Sequence, residues 1–142
     1  MSYTTQTEIE NALGGPSKLI ELADNNGDGA LDAQVLADAQ ARCDGWIDGF
    51  LWSYGTPIAN PSTTLKQVAI EETVYQLRWA RRMVSIEDRD DRERREKTLI
   101  RMSEGKERPE SPRPTPTVNR ATFVDNTDDE DLITRETLKG MW

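Results

Sequence analysis

Histidine is absent from this 142-residue chain, and cysteine occurs once, at Cys43. Without imidazole there is no His-dependent acid–base chemistry and no His-containing zinc site. A lone cysteine forbids an internal disulfide, and its place among apolar residues marks it as a small core hydrophobe. No run approaches the roughly 18 apolar residues of a membrane span, and the polar start from Met1 to Glu8 lacks the basic-then-apolar plan of a leader. The expectation is a soluble chain made in a reducing cytoplasm. Apolar residues are also scarce, at 35% against roughly 45–50% in an average domain. Such a chain completes its burial against partners.

Catalytic signatures are missing too. There is no nucleophile elbow, phosphate-cradling loop, dinucleotide fingerprint or cysteine cluster, so neither an enzyme nor a cofactor is expected. A net charge of -8 and a pI near 4.6 disfavour sequence-independent phosphate binding. Arg78, Arg81 and Arg82 could be read as a DNA contact, but acidic neighbours make ordinary helix-surface arginines the better reading. The run Glu87 to Lys97 mixes both signs and reads as a solvated helix face with i,i+4 pairs. Glu71-Glu72 is no acid–base pair, because adjacent helix residues point about 100° apart; these carboxylates are expected to face solvent or a basic partner.

What is present is helical patterning. Thr5 with Glu8 forms a capping box for a first helix that Gly14-Gly15 ends, and Pro16 opens a second that runs to about Ala23. After Asp32 a third runs to about Ser53, with Val35, Leu36, Ala39, Cys43, Trp46, Ile47, Phe50 and Leu51 at three- and four-residue steps. Gly45 and Gly49 each cost about 1 kcal/mol there, and their spacing implies close approach of another helix or subunit. Pro57 and Pro61 mark a loop, and Ser62 caps a fourth helix carrying Leu65, Val68, Ala69, Tyr75 and Trp79. A fifth spans about Ile86 to Ser103, closed by Gly105, with only its last turns expected to be firmly packed. The fold class is therefore all-α: a bundle of about five helices over residues 1–105. Residues 106–142 form a Pro-rich linker and an extended partner-binding tail, anchored by Phe123, Leu132, Leu138, Met141 and Trp142.

Between the second and third helices, Asp24, Asn26 and Asp28 alternate ahead of Gly29, with Asp32 further on, in the manner of a calcium loop. The twelfth position requires a bidentate Glu, and Val35 stands there. Turn chemistry and N-capping by Asp32 explain the same residues without an ion, so no metal is expected. A calcium-binding interaction module using this loop is the alternative.

In order and spacing, Leu22-Ala-Asp24, Asp28-Gly29 and Asp32, then Ile47-Asp48-Gly49-Phe50-Leu51 and Pro61 to Leu65, resemble the head–tail connector (neck adaptor) family of Mu-like tailed phages. Tyr3-Thr-Thr, Leu99 to Lys106, Ala121 to Phe123, and Thr134 to Gly140 with Trp142 extend the resemblance. It implies a structural virion protein at the neck, made in the host bacterial cytoplasm. It further implies that neighbouring copies form a ring, a homododecamer, beneath the portal protein. On the same resemblance, the ring would extend the DNA channel, with DNA only as cargo, and meet a stopper or tail-completion protein.

Overall fold

The computed structural model describes residues 2–111, and the expected all-α bundle is what it contains. Its helices are α1 (Gln6–Leu13), α2 (Pro16–Ala23), α3 (Ala33–Leu51), α4 (Thr63–Ala80) and α5 (Ile86–Ser103), with a 3-10 turn at Trp52–Tyr54 after α3. Local chemistry sets these boundaries. Thr5 and Glu8 exchange the reciprocal bonds of a capping box, Asp32 accepts from the Gln34 N–H, Ser62 accepts from the Leu65 N–H, and Ser85 with Asp88 forms a second capping box. Helix α1 stops at Gly14, whose left-handed φ of 95° lets its N–H turn back onto the last carbonyls.

Helices α3 and α4 form the spine, and their buried side chains fall into two clusters. At one end Cys43, Ile47 and Leu51 of α3 meet Leu65, Val68 and Ala69 of α4 and Leu99 and Met102 of α5, with Tyr3 and Ile58 closing the cluster. At the other end Leu36, Ala39 and Leu77 meet Ile9 of α1 and Leu19, Leu22 and Ala23 of α2. On α4 the residues between these clusters are polar yet buried: Glu72, Thr73 and Gln76.

Three details depart from the helical-period reading. Phe50 and Tyr75 are only half-buried, and Trp79 is 57% exposed, because it sits in the last turn of α4, where the chain reverses and cover ends. Glu72 is fully buried rather than solvent-facing, and the mixed-charge run is not wholly a solvated face, since Arg95 is buried. Lys106–Ser111 also belongs to the domain. Pro109 accepts from the Ser62 N–H at 2.8 Å and Ser111 donates to the Asn60 carbonyl at 2.8 Å, so the first residues beyond Gly105 lie against the Pro57–Pro61 loop.

Candidate functional site

The helical spine is pinned by one buried ionic network. Glu72 accepts from Gln76 Nε2 at 2.7 Å, from Arg92 Nε at 3.1 and 3.3 Å and from Arg95 Nη2 at 3.2 Å. Gln76 in turn accepts from Arg42 Nε at 3.1 Å, which brings α3 into the network. Arg92 lies over the Trp46 and Tyr75 rings at 4.8 and 4.9 Å, so two half-buried aromatics flank its cation. A carboxylate with no solvent exposure must be paired or neutralised. Here its partner was found on α5, within the chain. Sequence reasoning missed this network; the signal was Glu72 and Gln76 at i,i+4 on the apolar face of α4.

A second polar node ties the N-terminus down. The Tyr3 hydroxyl donates to Asp48 at 2.6 Å and accepts from the Ile58 N–H at 2.9 Å, while Asp44 accepts from the Tyr3 N–H and from the Ser2 hydroxyl. Burial pushes the Tyr3 phenol well above its ordinary value, and the bond to Asp48 adds to the shift. Burial raises Asp44 as well. Cys43 is pushed up to about 12 by burial and donates to the Ala69 carbonyl, which makes it an inert core thiol.

The Asp24–Asp32 loop is organised by its own backbone. Asp24 accepts from the N–H groups of Gly27 and Gly29 at 2.8 Å each and from that of Asp28 at 3.3 Å; these bonds, the Gly29 bond foremost, hold its carboxyl below the ordinary range. Asn26 accepts from the Asp28 N–H and Asp28 from the Ala30 N–H. The Arg81 guanidinium donates to the Leu22 carbonyl at 3.2 Å and to the Asp24 carbonyl, placing a fixed cation at the loop's root. Among the described residues no group of three or more carboxylate or thiol side chains converges as a metal cage. Of the arginines weighed as a DNA contact, Arg78 pairs with Asp88 at 3.0 Å and Arg81 is taken up by these carbonyls.

Gly45 and Gly49 lie on the exposed side of α3, and a Cβ added at either would meet nothing within 4 Å. Among the described residues no helix comes close enough to require glycine at either position. Phe123, Leu132, Leu138, Met141 and Trp142 lie outside the described residues. An open groove of about 890 Å³ runs between α1, α4 and α5, but its charged lining is internally paired, Arg78 with Asp88 and Arg94 with Asp91.

Large apolar side chains are instead exposed at both ends of the bundle. Trp52 is 74% exposed just beyond α3, and Trp79, Met83 and Ile86 are 57%, 61% and 76% exposed around the α4–α5 turn. The 18 residues of α4 separate the two sites by roughly 25 Å at a rise of about 1.5 Å per residue.

The sequence profile of the family described as Bacteriophage Mu, Gp36 matches residues 3–124. The chain belongs to that family. It is thus a phage protein, of the structural or morphogenetic kind. No curated protein and no solved structure matches it. The Gp36 family match opens on Tyr3, the anchor that closes one core cluster, and takes in all five helices and the Asp24–Asp32 loop. It includes Phe123 and stops short of Leu132, Leu138, Met141 and Trp142. No described helix is long and apolar enough to cross a membrane.

Proposed function

We propose that this Gp36-family protein is a head–tail connector, a neck adaptor without catalytic activity. Neighbouring copies pack side by side into a ring of twelve under the portal protein, extend the DNA channel, and present a surface to a stopper or tail-completion protein. Membership of a phage family over residues 3–124 carries the reading. Exposed apolar side chains on one small bundle support it, since a component packed among neighbouring copies and between larger assemblies needs anchors on its surface. The acidic balance suits a conduit, because carboxylates facing a channel repel phosphates and DNA slides without adhering. The tail beyond Ser111, with Phe123, Leu138 and Trp142, supplies a further reach to the portal or to a neighbouring copy.

The test is a phage lacking this gene, complemented in trans. Electron microscopy of the lysate should show filled or leaking heads separate from finished tails, and complementation should restore joined particles. Density for the helical domain in a twelvefold layer beneath the portal is expected in intact virions. Normal joined particles in the deletion would remove the connector role.

A further inference from the structure

The corner where α4 turns into α5 is both apolar and basic. Trp79, Met83 and Ile86 are exposed there, and Arg82 and Arg89 flank them with no described carboxylate in ion-pair range. Arg82 and Arg89 line a shallow concavity with Trp79 and Val84. Arg82 is also the one non-glycine residue with positive φ among the described residues, at 58°. It ends α4 where glycine is the usual choice, and holding a side chain in that region costs about 1–2 kcal/mol. Strain kept at an exposed position points to a use for the side chain.

Complementary charge is carried on the same molecule. Between Lys18 and Arg42 the sequence has no basic residue and five acidic ones, Glu21, Asp24, Asp28, Asp32 and Asp38. None of the five forms an ion pair with a described cation, and Glu21, Asp28 and Asp38 are exposed. The two halves adjoin at one end of the bundle, where Arg81 donates to the Leu22 and Asp24 carbonyls; because they differ, a copy that gives its corner to one neighbour and its acidic residues to another makes a heterologous contact, which closes as a ring if the rotation allows.

We propose that the α4–α5 corner of one copy seats on the acidic α2–α3 face of the next. Trp79 and Ile86 are the apolar anchors and Arg82 and Arg89 set the register against Glu21, Asp28 and Asp38. Unpaired arginine, exposed tryptophan and opposite charge are the elements from which interface anchors are built. This inference rests on the ring reading above and assigns its contact surface.

The experiment uses the full chain in low salt, where charge steering is least screened, and follows association by sedimentation velocity across a concentration series. Wild type should associate. Arg82→Gly should leave thermal stability unchanged or raised, because the strain is relieved, yet weaken association by about tenfold. Arg82→Glu/Arg89→Glu and Glu21→Lys/Asp38→Lys should each be folded and monomeric, whereas their mixture should associate again, since each reversed surface then meets its complement. A wild type that stays monomeric at every concentration overturns the inference. So does a charge-reversed corner that associates like wild type, or a folded mixture that fails to associate. The two readings fail separately. Corner variants that join heads to tails as well as wild type does overturn the corner contact and leave the connector standing; association through the corner by a protein absent from virion necks does the opposite.

Discussion

Replacing Glu72 by Gln removes one charge from a site with no solvent access while changing the side-chain volume hardly at all. The loss falls on Arg95. Its Nη2 loses the 3.2 Å bond to Glu72, its Nε already lacks a partner, and the remaining carboxylate is Glu71, 3.9 Å away and half exposed. Arg92 is less affected, since a third of its side chain reaches solvent and its cation still rests on Trp46 and Tyr75. Breaking one partner of a buried pair costs about 3–5 kcal/mol, and the residual Glu71 contact places this case near the lower end. At about 4–8 °C per kcal/mol for a domain of this size, Tm should fall by more than about 10 °C. The same reasoning makes a second statement with the opposite sign. In Glu72→Leu/Arg95→Met no fully buried charge is left unpaired: Arg92 loses its bonds to Glu72 but keeps solvent and the Trp46 and Tyr75 rings, and the Gln76 amide that loses its acceptor costs about 1 kcal/mol. Urea unfolding followed by far-UV circular dichroism measures both variants and Arg95→Met alone. The double variant should lie close to wild type and well above Glu72→Gln. A single variant costing under about 1 kcal/mol, or a double variant as unstable as the single, would show that the network does not behave as a buried charge pair.

Tyr3→Phe should cost about 1–3 kcal/mol, because it leaves the buried Ile58 N–H without an acceptor, and a stability unchanged in urea unfolding would refute the anchor. Millimolar calcium should leave Tm unchanged; a rise of several degrees that disappears in Asp28→Ala would instead support the calcium-binding alternative through binding linkage. Acid titration should destabilise the domain through Asp88, which its bonds to the Ser85 backbone and hydroxyl and the charge of Arg78 hold below its ordinary value of 3.8. A depressed carboxyl stabilises fully above that ordinary value and loses its contribution as pH falls through the folded one, so Asp88→Asn should flatten the acid limb of a Tm-against-pH curve. Truncation after Ser111 should leave the helical domain folded, since Pro109 and Ser111 still bond to it, while abolishing head–tail joining in an assembly assay; joining by the truncated protein would make the tail dispensable.

The helices were legible in the sequence because their ends are local chemistry. Thr5 with Glu8, Pro16, Asp32, Ser62, and Ser85 with Asp88 each satisfy backbone groups within a few residues, so no tertiary contact is needed to place them. The same holds for the Asp24–Asp32 turns, whose side chains bond to N–H groups two to five positions on. Tertiary structure decided which side of a helix is covered and how far along. Trp79 repeats at the period of buried residues, yet stands in the last turn of α4, where one side only is covered: Arg81 reaches the end of α2 there, while Trp79 is left exposed. Glu72 looked like a surface carboxylate, yet it is the centre of the core, because Arg92 and Arg95 arrive from a helix some twenty positions later in the chain. A period of 3.6 residues fixes a direction around the helix axis, but whether a charge in that direction is stranded or paired depends on a residue that only folding brings within about 3 Å.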